Sequence, residues 1–509
     1  MAVVIGIDAG TTGVRALAVD ETGSPLLSSY RELTQHYPRP GWVEHDPVEI
    51  WQAVQHVLAR VSAELADRNE TVAAIGMTNQ RETAVAWDRT SGQPRHRAVV
   101  WQDRRTAGRC DELRDAGYLP LVRERTGLVL DPYFSATKFE WLLAEGRVER
   151  GPALALGTVD SWVLWNLTGG PRGGVHATDP SNASRTLLYD IIQRRWSDEL
   201  CQLFDVPTSS LAEVRPSAGR FGRVASGAVD GLQPGVPVSG IAGDQAAALF
   251  GQACVRTGMA KNTYGTGSFV LMNVGATPPP PAEGLLTSVA WELGAGRGGN
   301  GGRSSTDVAY ALEGAIFSTG SAIQWLRDGL GLISEAAEVG PLAATIDSTE
   351  GVYVVPAFTG LGSPWWDPYA RGTVVGLTRG TGRAHVARAV VEAMAFQTRD
   401  VVEAMTASSG HAVPDLRVDG GASVMDLLLQ IQADQLQVPV IRPRVVETTA
   451  VGAGLLAGLA EGVWGSVDEA AGLWQPEAEL TPRASQAGAD AQHAGWRRAL
   501  ERARAWAPS

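Results

Sequence analysis

Two short turns constrain this chain more than any other feature. Gly10-Thr11-Thr12-Gly13 and Gly265-Thr266-Gly267-Ser268 each follow an extended segment, and one stands in each half. Before the first turn, Val3–Ile7 is an apolar run; after it, Val14–Val19 is another, closed by Asp20-Glu21-Thr22-Gly23-Ser24-Pro25. That is strand, tight turn, strand, turn. The recurrence suggests two related α/β domains facing a shared cleft, residues 1–251 and 252–509, with the boundary near Gly251. A glycine-rich turn between strands exposes backbone N–H groups, and threonine hydroxyls add donors, so the concavity suits an anionic phosphate. Each turn alone is equally an ordinary β-turn; together they suggest two loops gripping one polyphosphate. A third strand end, Val418-Asp419-Gly420-Gly421-Ala422, lets a flat group such as adenine ribose approach closely, or is a plain tight turn.

Elsewhere the pattern alternates between strands and helices. His45-Asp46-Pro47-Val48-Glu49 predicts a helix start, with Asp46 as cap, Pro47 at the first position and Glu49 completing a capping box. Val72–Met77 reads as a strand. Gly219–Val238 reads as loops leading into a strand at Val238–Ala242, and Gly294–Ser305 as a mobile low-complexity loop at a hairpin tip. Arg383–Met405 has helical periodicity. Ala450–Leu459 is a small-residue helix expected to pack closely on a neighbour. Ala494–Trp506 is expected to be a basic amphipathic surface helix held partly by its tryptophans.

Charge and composition narrow the function. Asp and Glu outnumber Lys and Arg by 55 to 43, a net charge of −12, which argues against a nucleic-acid or anionic-membrane partner. With no run of eighteen apolar residues, no membrane-spanning helix is expected, and the N-terminus reads as a strand rather than a signal peptide. Cys110, Cys201 and Cys254 form no CxxC pattern and read as buried or incidental thiols in a reducing cytoplasm. Lys138 and Lys261 are the only lysines. The GK[ST] sequence of a Walker-type loop is absent, so any ATP chemistry must use another device.

Three segments carry candidate chemistry. Asp8, at the end of the first strand, could hold a hydrated Mg²⁺, and Arg15 could add positive charge. In Gly240-Ile241-Ala242-Gly243-Asp244-Gln245, a strand gives way to a helix at or just after Asp244. That carboxylate either caps the helix or accepts the proton of an attacking hydroxyl. Thr78-Asn79-Gln80-Arg81-Glu82-Thr83 places a polar run behind a buried strand. Arg81-Glu82 is either a surface ion pair or a pair offering donors and acceptors to vicinal hydroxyls.

Other segments connect these into one pattern. They include Pro40-Gly41-Trp42-Val43-Glu44-His45-Asp46-Pro47, Val100-Trp101-Gln102, Asp131-Pro132-Tyr133-Phe134-Ser135, Asn182-Ala183-Ser184-Arg185-Thr186, Met259-Ala260-Lys261-Asn262-Thr263-Tyr264, Gln324-Trp325-Leu326-Arg327-Asp328 and Val354-Val355-Pro356-Ala357-Phe358-Thr359-Gly360. In this order, and over nearly the whole chain, the sequence resembles the FGGY carbohydrate kinases, closely so their glycerol-phosphorylating members. The resemblance implies an α/β fold of two ribonuclease-H-like (actin/Hsp70-like) domains with the active site in the cleft between them. It implies ATP and Mg²⁺ as cosubstrate and cofactor, glycerol 3-phosphate and ADP as products, and a homodimer or homotetramer.

Residue by residue, the resemblance makes Asp244 the catalytic base. Arg81, Glu82, Tyr133, Asp244 and Gln245 would bind the glycerol hydroxyls, with Trp101 and Phe269 as the apolar wall. Thr11, Thr12, Gly13, Arg15, Thr266, Gly320, Gln324, Gly421 and Met425 would form the nucleotide site. Departures are Ala9, where the family has Gln or Leu, and Met425, where it has Asn, so an amide contact to the nucleotide is lost. Ala225–Gly235 does not resemble the basic glycine loop that binds fructose 1,6-bisphosphate in some bacterial members, so that control is expected to be weak or absent. The rival readings are a kinase of another polyol or sugar (xylulose, erythritol, gluconate), or a nucleotide-gated filament or chaperone protein whose ATP hydrolysis ignores glycerol.

Overall fold

Both predicted turns connect antiparallel strands of one large sheet. The structure is a computed structural model that describes residues 2–294 and 307–507. The main strands are β1 (Ala2–Ala9), β2 (Gly13–Val19), β3 (Pro25–Glu32), β4 (Thr71–Asn79), β5 (Ala218–Arg223), β6 (Pro237–Gly243), β7 (Ala260–Tyr264), β8 (Ser268–Gly275), β9 (Leu286–Leu293), β10 (Asp307–Ile316), β11 (Leu416–Gly420), β12 (Val440–Pro443) and β13 (Pro476–Leu480). The principal helices are α1 (Pro47–Asp67), α2 (Ser135–Ala144), α3 (Asp244–Gly251), α4 (Arg383–Ser409), α5 (Thr448–Glu461) and α6 (Gln486–Ala503).

The strand order is β13-β12-β11-β7-β8-β10-β9-β5-β6-β4-β1-β2-β3. In the first half, β1, β2 and β3 form an antiparallel meander, and β1, β4 and β6 run parallel. In the second, β7, β8 and β10 form the meander, and β7, β11 and β12 run parallel. This is one ribonuclease-H-like plan used twice, so the two glycine-threonine turns occupy equivalent places. The halves join edge to edge where Ala218 of β5 pairs with Leu293 of β9.

Strand β1 is buried because helices cover both its faces. Val3, Val4, Ile5 and Ile7 are inaccessible; α1 packs on one side and α5, from the second half of the chain, on the other. Close approach of α5 requires glycine in a row. Gly6, Gly76 and Gly240 stand in register on β1, β4 and β6. A Cβ there would lie 2.0 Å from the Ala450 carbonyl oxygen, 1.9 Å from that of Ala453 and 2.5 Å from the Ala457 nitrogen. The small-residue helix thus packs closely, as its composition predicts.

Three expectations need correction. Gly219–Arg223, the start of the stretch read as loops, belongs instead to the strand Ala218–Arg223, paired with β6. Glu49 does not close a capping box: Asp46 accepts from the Val48 N–H, while Glu49 accepts from the backbone and hydroxyl of Thr34. The C-terminal helix runs from Gln486 to Ala503; Trp496 is inaccessible within it, but Trp506 lies beyond it and is 71% exposed. Of the glycine-rich segment Gly294–Ser305, all but Gly294 falls outside the described residues. No described helix is long and apolar enough to cross a membrane, and the three cysteines are buried and unpaired.

Candidate active site

Parallel strands in register bring their carboxyl ends together, where α/β proteins bind their ligands. Asp8 pairs with Thr78, and Gly243 with Asn79, so Asp8, the Arg81-Glu82 segment and Asp244 emerge side by side. Gln80 ties that segment to the first turn, donating from its backbone N–H to Ala9 and from its side chain to the Gly10 carbonyl at 3.1 Å. Gly243 leaves room for Arg81 to cross the strand end, since a Cβ there would meet the arginine stem at 2.6 Å. Glu82 has a left-handed backbone, φ 61°, a conformation uncommon for a residue with a side chain. Ser135, at the start of α2, donates to its carbonyl oxygen at 3.0 Å.

Arg81 and Glu82 are both buried, so they are no surface pair, and at 3.9 Å their mutual contact is the weaker one. Two residues not assigned a role from sequence complete the arrangement. Arg81 makes a bidentate pair with Glu313 of β10, at 2.7 and 3.1 Å. Arg185 donates to Glu82 at 2.6 Å, to Glu313 at 3.1 Å and to Ser288 at 3.0 Å. Arg81 Nε lies 3.0 Å from Asp244 Oδ1, a charge contact whose N–H is not aimed as a hydrogen bond. The result is a connected chain of charges, Glu82, Arg185, Glu313, Arg81 and Asp244, with Glu313 supplied by the second half. Burial alone would raise the Glu313 carboxyl, but Arg185 and Arg81 outweigh it and hold it at about 2.

Asp244 is the first residue of α3, behind the cap Gly243, and 31% of its side chain remains exposed. Its carboxylate accepts from the Gln245 N–H at 2.7 Å. Gln245 in turn accepts at Oε1 from Lys261. Tyr133 meets Trp101 edge to face, with ring centroids 5.5 Å apart, and Trp101 Nε1 donates to Thr11 Oγ1 at 2.9 Å. That bond joins the aromatic wall to the first turn. Phe269 is part-buried on β8, beside the cluster that includes Ala246 and Phe250 of α3.

Around the first turn, the Gly10 N–H closes on the Gly13 carbonyl at 3.0 Å, leaving Thr12 exposed. Arg15 is engaged by Glu447 at 3.6 Å and the Tyr30 ring. The second turn repeats the closure from Gly265 to Gly267 at 2.8 Å. Its Thr266 carbonyl accepts from Thr319 and Ser321, at the start of the short helix Gly320–Gln324. Gly320 must be small there, because a Cβ would lie 2.5 Å from the Gly265 carbonyl oxygen. The register pair Tyr264 and Gly420 sets the third strand end beside the second turn, with Gly421 open to solvent. Met425 lies against Gly340, and Ala9 points into the core, so the site loses no polar contact at position 9.

Asp8 carries the features of a cation ligand. Burial, and next the facing charge of Asp244, push its carboxyl up to about 7, against the pull of Arg15. A carboxylate disfavoured by a like-charged neighbour fits a hard divalent cation. Asp8 and Asp244 are a pair only; the described residues contain no cluster of three or more metal-ligating His, Cys, Asp or Glu side chains.

Sequence reasoning assigned no role to Arg185, Glu313, Lys138 or Lys261 in this arrangement. Glu313 did leave a signal, as the one charge inside the apolar run from Val308 to Ile316. The lysines left another, as the sole exceptions to arginine usage.

Comparison with known proteins shows the family and the fold. The FGGY carbohydrate kinase N-terminal domain matches residues 3–251, and the C-terminal domain of the same family matches residues 260–461. The chain is 52% identical over 512 residues to the glycerol kinase of Dechloromonas aromatica, covering 99% of this chain and 98% of the relative. The crystal structure of Plasmodium falciparum glycerol kinase with ADP superposes with a TM-score of 0.91 at 32% identity, covering 99% of this chain and 98% of the other. A xylulose kinase from Rhodospirillum rubrum also superposes, with a TM-score of 0.84 at 25% identity and 97% coverage of both chains. The fold is therefore shared across acceptors, and selection among them belongs to the site.

Proposed function

The chain belongs to the FGGY family of carbohydrate kinases, and from that premise we propose that it transfers the terminal phosphoryl group of ATP to a terminal hydroxyl of glycerol. The observation that carries this reading is the buried charge chain from Glu82 through Arg185, Glu313 and Arg81 to Asp244. Glycerol offers three hydroxyls and little else, so its recognition needs fixed donors and acceptors. A site built around hydroxyls rejects analogues that lack one. Arg81 supplies the donor and Glu82 the acceptor, with Tyr133 and Gln245 beside them. Trp101 and Phe269 limit the room for a longer carbon chain.

Asp244 accepts the proton of the attacking hydroxyl as its oxygen bonds to the γ-phosphorus. The bond from that phosphorus to the β–γ bridging oxygen breaks, and ADP leaves. Arg81, 3.0 Å from Asp244, holds the carboxylate in place. Backbone N–H groups of the two glycine-threonine turns, with Thr11, Thr12, Gly13 and Thr266, receive the phosphates; Arg15 adds positive charge. Gly320, Gln324, Gly421 and Met425 line the nucleoside side. Asp8 would hold Mg²⁺, which neutralises charge on the phosphate oxygens.

The test is ADP release from Mg-ATP with glycerol, xylulose, erythritol, gluconate or no acceptor, with the phosphorylated product identified. Glycerol is expected to be the preferred acceptor and to yield glycerol 3-phosphate. Preference for another polyol, or ADP release indifferent to glycerol, contradicts the reading.

A further inference from the structure

Arginine supplies every other cationic side chain, yet Lys138 and Lys261 are both inaccessible, and both touch residues of the proposed glycerol site. Lys138 donates to the carbonyls of Tyr133 at 2.6 Å and Phe134 at 2.9 Å. Lys261 reaches from β7 to the side-chain oxygen of Gln245 and to Thr263 Oγ1 at 2.8 Å. A compact ammonium with rotatable donors fits where a planar guanidinium fork does not.

An ammonium donates and cannot accept. Its bond to Gln245 therefore fixes which end of the amide faces which way: Oε1 toward Lys261, Nε2 away from it. Nε2 has no acceptor among the described residues, and Gln245 follows Asp244 at the start of α3, its backbone N–H donating to the Asp244 carboxylate at 2.7 Å. We propose that Lys261 is a positioning residue that locks the Gln245 amide with its N–H donors facing the acceptor substrate, so that Gln245 binds a hydroxyl oxygen next to the catalytic base. The inference rests on the glycerol reading of the site. It adds that one member of the site is oriented by a buried cation from the second half of the chain.

The test is a double-mutant cycle in the full-length enzyme, using Lys261→Met, Gln245→Ala and the pair, with glycerol and ATP kinetics and melting temperatures. Lys261→Met is expected to lower kcat/KM for glycerol about tenfold or more, the scale of one net hydrogen bond. KM for ATP should stay within about twofold, and in the Gln245→Ala background the lysine change should add less than about twofold, because coupled residues are non-additive. An equal loss in both backgrounds, or an unchanged glycerol kcat/KM, overturns the proposal. Should Lys261→Met fail to fold, Gln245→Glu decides. Glutamate still accepts from the ammonium but has no N–H, so stability should hold while glycerol kcat/KM falls about tenfold; a wild-type value overturns the proposal. Failure of the wild-type enzyme to phosphorylate glycerol sinks the glycerol reading itself and the inference with it, an outcome visible before any variant is compared.

Discussion

Asp8 stores a conflict that a stability measurement can expose. Burial and the nearby Asp244 raise its carboxyl from 3.8 to about 7. Between those values the folded state holds a proton that the unfolded chain lacks, so this group favours folding increasingly as pH falls from about 7 toward 3.8. Above about 7 the ionised carboxylate is a net burden on the fold. Asp8→Asn is therefore expected to raise the melting temperature at about pH 8, without divalent cations, and to lose that advantage near pH 5. The same variant should be impaired in catalysis at both. A lower melting temperature at pH 8 contradicts the proposed environment of Asp8. At this scale the sequence revealed Arg81 and Glu82 as a polar pair but left their role open. Their strongest partners, Glu313 and Arg185, lie 232 and 103 positions away, and no local pattern marks such a pairing.

Among the elements, the contact between α5 and the first-half sheet depends on the absence of side chains. Gly76→Ala would place a Cβ 1.9 Å from the Ala453 carbonyl oxygen. Overpacking of this kind costs about 1–3 kcal/mol, so a lower midpoint in urea unfolding is expected. Gly108→Ala is the control: it is exposed near the start of a helix, with nothing within 4 Å of its Cβ position, and should be neutral or slightly stabilising. Equal effects at both positions would contradict the glycine-row account. The close packing of α5 was readable from its small residues. Strand β5 was not, because Ala218-Gly219-Arg220-Phe221-Gly222-Arg223 has weak alternation and two glycines, and its pairing comes from β6 and β9.

Across the whole molecule, two copies of one plan meet at the site, and the charge chain joins them. Glu313 bridges two buried arginines of the first half, and removing one partner of a buried charge group costs about 3–5 kcal/mol. Glu313→Gln is expected to lower the melting temperature markedly and weaken glycerol binding; an unchanged melting temperature contradicts the bridging role. Held at about 2 against an ordinary 4.5, the Glu313 carboxylate contributes stability that is present above about 4.5 and lost as pH falls toward 2. The repeated turns made the two-domain plan legible, but the cross-connection was not, since it depends on how the halves pack.

Asp244 is the proposed base that removes the proton from the acceptor hydroxyl. Single-turnover kinetics of Asp244→Asn with Mg-ATP and glycerol, together with equilibrium binding of both ligands, test it most directly. Phosphoryl transfer is predicted to slow by about 10²–10⁴-fold, the usual contribution of a general base, while ATP affinity stays close to wild type. Transfer at a near wild-type rate would contradict the assignment of Asp244 as the base.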